Sequence, residues 1–173
     1  MRVSRQDLKI LLAATCVLTL PAAHSDTSRF NHRLLDTHNR ERIAVGGERL
    51  RWDEDLARDA QNWAHHLAAT RTLKHAAKST KHSGAGENIW RGTRGYFTPE
   101  QMVGRWINEK RHFRAGAFPN NSVTGNVADV GHYTQVIWRQ TYEVGCGVAS
   151  NTSHDILVCR YRNPGNIVGE RPI

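Results

Sequence analysis

The residue types able to do chemistry in this chain are a small set of cysteines, ten histidines and sixteen carboxylates. Cys146 and Cys159 are the two cysteines outside the N-terminal stretch, an even pair suited to a disulfide. A metal–thiolate centre is disfavoured because no CxxC pair is present. With both thiols committed to a bridge, a Cys–His protease loses its nucleophile. No HExxH motif and no G-x-S-x-G elbow occurs, so neither of those hydrolase signatures can be read here. Ser79 and Ser83 are near His75 in sequence, which alone does not make a Ser–His arrangement. The adjacent His65-His66 pair reads as helix surface.

These side chains must be positioned by regular elements, and the cysteines indicate one of them. Extended stretches at 142–149 and 156–162 flank a polar turn at 150–155. Setting Cys146 opposite Cys159 also sets Val148 opposite Leu157 and Val144 opposite Tyr161. Side chains alternate along a strand, so all six share one face, and all six are apolar or Cys. The register that permits the bridge therefore also buries the right residues. A disulfide closing a loop of about a dozen residues contributes about 2–3 kcal/mol in the chain-entropy description.

Helices are expected upstream. Phe30, Leu34 and His38 recur at helical spacing beside Leu35, predicting a helix over 29–44 that ends at Gly46-Gly47. Leu50-Arg51-Trp52 reads as a short extended link. Asp53 can cap a second helix reaching about residue 69, with Leu56, Ala60, Trp63, Ala64 and Leu67 as its apolar stripe. Thr98-Pro99-Glu100-Gln101 is a capping box with Pro at the first helical position, opening a third helix in which Met102, Val103, Trp106 and Ile107 share a face. Residues 74–86 and 114–131 read as loops, 133–138 as a strand, and Asn163-Pro164-Gly165-Asn166 as a turn.

Residues 1–25 read as a secretory signal peptide. Arg2, Arg5 and Lys9 are followed by an apolar run from about Ile10 to Leu20, then by Pro21 and the small-residue site Ala23-His24-Ser25. The alternative, a membrane anchor, needs a longer apolar run. Cys16 falls inside the segment and is lost on cleavage. The rest, 26–173, is expected to form a single domain. Three basic residues and one acidic residue lie in the removed segment, so net charge falls from +8 to +6. That charge favours anionic surfaces such as walls, lipids or polyanions. No block of five like charges marks a nucleic-acid patch. A composition of 39% apolar and 23% charged residues excludes wholesale disorder.

Four ordered blocks carry a family resemblance. Gly131-His132-Tyr133-Thr134-Gln135-Val136-Ile137-Trp138 resembles the first signature of the CAP superfamily, which includes cysteine-rich secretory proteins, insect venom antigens and plant pathogenesis-related proteins. The stretch from Leu157 to Asn166 resembles its second signature, with Asn163 where a proline is usual. Gly86-Glu87-Asn88-Ile89 and Leu35-Asp36-Thr37-His38-Asn39-Arg40 match two further landmarks, so the resemblance spans about residues 30–168. It implies an α+β fold, a three-layer α-β-α sandwich with a short antiparallel sheet between helices. It also implies a surface cleft holding two His and two Glu, here His75, Glu87, Glu109 on the third helix, and His132 opening the signature strand. Asn88 and Gln135 are expected as neighbours of that cleft.

Two imidazoles beside two carboxylates can take Zn²⁺ or another divalent cation, with His75 and His132 as metal ligands, although the fold does not require one. The resemblance further implies an extracellular binding or defence-type module, with a lipid or sterol as a second class of ligand. Phe113, Ala117, Phe118, Pro119 and Val123 of the long loop offer apolar contacts for it, or else pin the loop to the core. The rival reading is a metal-assisted, protease-like hydrolase using the two-His two-Glu cleft. The chain lacks the extra cysteines and appended modules of plant and venom relatives, so their partner-specific roles are not carried over. A monomer without a membrane span is expected. The Asn120-Asn121-Ser122 and Asn151-Thr152-Ser153 sequons matter only where the host glycosylates exported proteins. When the full chain is expressed through a secretory route, mass spectrometry of the mature protein should find Asp26 at its N-terminus; an intact Met1 would overturn the signal assignment.

Overall fold

The computed structural model describes residues 23–77 and 84–173; the signal segment up to residue 22, with Cys16, and the serines Ser79 and Ser83 lie outside that range. The described chain runs α1 (Ala23–Ala44), β1 (Arg51–Trp52), α2 (Glu54–Thr70), β2 (Gly86–Thr93), α3 (Pro99–Ile107), α4 (Gly131–Ile137), β3 (Glu143–Ser150) and β4 (His154–Arg162). α1 begins six residues before the expected helix start at residue 29, and so takes in the expected cleavage site.

The four strands form one sheet in the order β1-β3-β4-β2, antiparallel except for the parallel β1–β3 pair. The hairpin register is the one its cysteines demand: Cys146 faces Cys159, Val148 faces Leu157 and Val144 faces Tyr161. Cys146 and Cys159 are disulfide-bonded. Alternation along β4 feeds two separate cores. Leu157, Cys159 and Tyr161 join Leu34, Val103, Trp106 and Val136 under α1, α3 and α4, while Ile156 and Val158 meet Ala60, Ala64 and Leu67 of α2. The result is the three-layer sandwich, with α2 alone on one face.

Local signals explain the longer helices. Asp53 accepts the amide of Leu56 to start α2, and Thr98 with Gln101 forms the reciprocal capping box of α3. α2 lies so close to the sheet that a Cβ on Gly145 would come within 2.2 Å of Ala57 N, and one on Gly147 within 2.3 Å of Gln61 Cα. Only glycine admits that approach.

Three expectations need correction. The signature at 131–138 is not a strand: Gly131–Ile137 is helical, and Tyr133, Val136 and Ile137 are all buried. Its β-branched run suggests a strand, but the helix is held at both ends from elsewhere. Glu109 takes the amides of His132 and Tyr133 at its start. At its end the fully buried Arg42 donates to the carbonyls of Val136, Trp138 and Thr141. Glu109 itself sits not on α3 but in a 3₁₀ turn, Asn108–His112, that follows it. The strand β2 is an addition, because Glu87 and Asn88 break the apolar alternation of its first half and reading a loop from Lys74 to Gly86 leaves it unassigned.

One core group carries a pH signature. His38 is fully buried, its Nδ1–H donating to Leu34 O at 2.8 Å and its Nε2 accepting from the Tyr161 hydroxyl at 2.8 Å. Loss of hydration lowers its pKa to about 4, from 6.5. The unfolded chain therefore binds this proton and the folded chain does not between those values. Stability from this group is complete above pH 6.5 and declines as pH falls toward 4, by about 3 kcal/mol in all. Urea midpoints measured across that window should fall accordingly, and a folded His38→Gln variant should lose this part of the slope.

Candidate functional site

The two histidines and two glutamates of the expected cleft are organised as two separate His–Glu pairs. In the first, His75 precedes β2 and Glu87 is its second residue. His75 Nδ1 lies 2.5 Å from Glu87 Oε1, which also accepts the Ala76 amide at 3.1 Å. Glu87 Oε2 lies 2.6 Å from Arg160 Nη1 on β4, and Arg160 Nε is 3.0 Å from Asp59 on α2. The Glu87 side chain is 0% exposed whereas that of His75 is 61% exposed. A buried acid thus presents an open ring.

The second pair is built from main-chain donors. Glu109 Oε1 lies 2.6 Å from His132 Nδ1, and Oε2 accepts the amides of His132 and Tyr133 at 3.0 and 3.1 Å. The His132 ring stacks on Trp106, with 13° between planes. In both pairs Nδ1 faces the carboxylate, which fixes the ring and turns Nε2 away from it. Among the described residues, no group of three or more His, Cys, Asp or Glu is disposed to hold a metal ion.

The pairs are joined through adjacent residues of the edge strand β2. Asn88 follows Glu87, is buried, and donates through Nδ2 to the carbonyl of His132 at 3.1 Å and to the Tyr161 hydroxyl at 3.3 Å. Burial pushes the Tyr161 hydroxyl well above its ordinary pKa, against the opposing pull of Asn88 and Arg42, so it stays a neutral donor to His38. Gln135 reaches the same region from α4. It accepts the Gly165 amide at 2.9 Å and, with His75, Glu87, Pro164, Asn166 and Ile167, lines a hollow of about 500 Å³.

Some candidates have other places. His65 and His66 are exposed on α2, and His66 stacks on Trp63. In the long loop, Phe113 packs edge-on against Tyr133 and Phe118 against Trp138, so these aromatics pin the segment to the core. Val123 is 58% exposed. A separate hollow of about 570 Å³ lies beside α1 and includes Leu35 and Trp52 in its wall.

Sequence reasoning passes over Arg160, Asp59 and Glu41, and reads Tyr161 only as a core-facing residue of the hairpin. Glu41 accepts the Tyr133 hydroxyl at 3.0 Å and lies 3.4 Å from Lys110 Nζ. Arg160 had a signal: a cation placed between Cys159 and Tyr161 must face away from the disulfide and into the α2 side of the sheet.

Comparisons with known proteins agree on one lineage. The profile of CAP, the cysteine-rich secretory protein family, matches residues 35–161. Pathogenesis-related protein 1C of Nicotiana tabacum is 38% identical over 169 residues, covering 96% of this chain and 95% of its own. Pathogenesis-related leaf protein 4 of Solanum lycopersicum is 38% identical over 165 residues, covering 94% and 96%. Among solved structures, the crystal structure of NaASP2 with Zn²⁺ superposes with a TM-score of 0.70 at 23% identity, covering 82% of this chain and 83% of that one, which is a likeness of fold.

The double role of Glu109, facing a ring and capping α4, gives a checkable consequence. Glu109→Ala leaves two first-turn amides of α4 without their acceptor and should lower stability by about 1–3 kcal/mol in urea unfolding. Glu109→Gln, which keeps an acceptor oxygen, should cost less.

Proposed function

The chain belongs to the CAP, cysteine-rich secretory protein, family, and from that membership we propose that it works outside the cytoplasm as a defence-type binding module centred on His75, Glu87, Glu109 and His132. The observation that carries this reading is the pairing itself: each carboxylate lies against an imidazole Nδ1, leaving each Nε2 for an external ligand. Export, through removal of residues 1–25, is part of the same proposal.

The donor set decides what kind of centre fits. Glu87 meets His75, the Ala76 amide and Arg160; Glu109 meets His132 and two amides. Both acids act as orienting partners, which leaves two neutral imidazole nitrogens as ligands for a divalent cation such as Zn²⁺. A closed structural zinc site with four protein ligands does not fit this set. An open centre, completed by water or by groups of a captured molecule, does. When bound, the cation would supply Lewis acidity toward such groups. His75 and His132 would hold it, and Glu87 and Glu109 would fix the ring orientations.

The hydrolase alternative needs one of the two glutamates as a general base within reach of a substrate proton. Their engagement by imidazoles, amides and a guanidinium supports capture over turnover. A lipid or sterol is the second ligand class. The pinned aromatics of the long loop do not favour it there, and the hollow beside α1, with Leu35 and Trp52 in its wall, offers it an apolar surface.

Calorimetric titration of Zn²⁺ into the mature protein should give a saturable heat that disappears in the His75→Ala/His132→Ala double variant. An unmodified protein giving no heat, or a double variant binding as tightly as the parent, would remove the metal part of the proposal.

A further inference from the structure

We propose that a small basic hollow, where α2 ends against the β3–β4 turn, binds a tetrahedral oxyanion: a phosphate or sulfate group, free or as a monoester. It is separate from the His–Glu pairs. The hollow has a volume of about 160 Å³. Pockets for drug-sized ligands ordinarily reach about 300 Å³ or more, so this one suits a single group. Its wall carries the guanidinium groups of Arg71 and Arg91, the imidazole of His154 and the hydroxyls of Thr72, Thr152 and Ser153, and no carboxylate. Buried Leu67 and Ile156 complete it. Sheet alternation and the length of α2 bring these groups together. Ile89 and Ile156 pack under α2, and side chains two residues along a strand return to the same face. Arg91 pairs with Ile156 and Thr93 with His154, so Arg91 and His154 continue that face past Thr70, the last residue of α2. There the chain turns away: Arg71 takes a φ of 54°, and its amide and that of Thr72 both go to Leu67 O. The β3–β4 turn closes the other side, held by Asn151 Oδ1, which accepts the amides of Ser153 and His154 at 2.9 Å. Ser153 O accepts the Arg94 amide at 3.0 Å, which ties the end of β2 to the same turn.

The charge balance favours an anion. The carbonyl end of a helix carries roughly half a negative charge, which opposes one. Against it stand the full charges of two arginines, and the Leu67 carbonyl already takes two amides. Asp155, next to His154, lies on the opposite face of β4, where it accepts the Gly95 amide and the Ser150 hydroxyl. Glu87 stands four residues back along β2, about 13 Å away at the rise of a strand. That exceeds the roughly 8 Å over which exposed charges interact at physiological salt. The planar fork of arginine matches two oxygens of a phosphate or sulfate at once, and the hydroxyls can donate to the others. The main chain that carries these donors is tied down by the capped helix end and the hydrogen-bonded turn, so binding orders little beyond the side chains.

Amide NMR spectra of the purified protein test this during titration with inorganic phosphate, inorganic sulfate and glucose 6-phosphate, with glucose as the blank. The salt is held at about 0.15 M so that diffuse attraction is screened. Saturable shifts are expected at Thr72, Arg91, Thr152, Ser153 and His154 with the inorganic ions, and none with glucose. Arg71→Gln/Arg91→Gln, at two exposed positions, should weaken binding about 10-fold or more, the scale of losing hydrogen bonds to a charged group. Arg49→Gln/Arg139→Gln removes the same charge from exposed positions outside the hollow and should bind as the parent does. Glucose 6-phosphate shifting the same residues assigns a monoester; inorganic ions alone doing so assign the free ion. Shifts that do not saturate, shifts spread over the basic surface, or equal affinity in the two double variants overturn the proposal. Neither double variant touches His75, Glu87, Glu109 or His132, so the result is independent of zinc binding at those residues.

Discussion

The seven-residue helix α4 is too short to persist by itself, and the candidate centre depends on how it is held. Isolated helices of that length are unstable in water because the cost of nucleation is not recovered by so few hydrogen bonds. Here Glu109 accepts the first amides and the buried Arg42 takes the last carbonyls, so side chains from a 3₁₀ turn and from α1 replace the missing helical turns. Loss of hydration lowers the Arg42 pKa to about 10, still high enough to keep it cationic at neutral pH. His132 and Gln135 both ride on this helix, so their positions are set by residues distant in sequence.

The sheet supplies the second half of the centre by alternation. Along β2, Glu87 and Asn88 point to opposite faces: Glu87 toward Arg160 and α2, Asn88 toward Tyr161 and His132. An edge strand is the one place where both faces are reachable from the same surface. Polar residues at its start cost the core little, because β2 becomes apolar only at Ile89 and Trp90. The cysteine pair in the neighbouring hairpin fixes the register on which this depends. A slip by one residue would send Arg160 toward the aromatic core and Tyr161 toward α2.

Charge is spent unevenly across the molecule. The basic excess lies on the surface, while the interior holds a few cations, each matched to several acceptors or to acids. Arg42 meets four carbonyls and Arg160 two carboxylates. His38 stays neutral because Leu34 O and the Tyr161 hydroxyl satisfy both ring nitrogens without a charge. The same separation appears in the His75 pair, where the ring is exposed and its carboxylate partner is buried behind it.

The amino-acid sequence alone determined the features governed by near neighbours: the caps at Asp53 and Thr98, the apolar stripe of α2, and the hairpin register set by Cys146, Cys159 and the apolar residues beside them. Motif spelling also singled out His75, Glu87, Glu109 and His132 as candidates, and the family resemblance held. What only the tertiary structure decided is where distant partners override local preference. A β-branched run became helix α4 because Glu109 and Arg42 close its ends. A polar stretch became strand β2 because β4 offers a paired edge. Arg160 meets Glu87 because β2 pairs with β4 in that register, and Asp59 reaches it because α2 packs against glycines. Local periodicity carries no record of such partners, since the energy that selects them comes from contacts formed only when the sheet and helices have met.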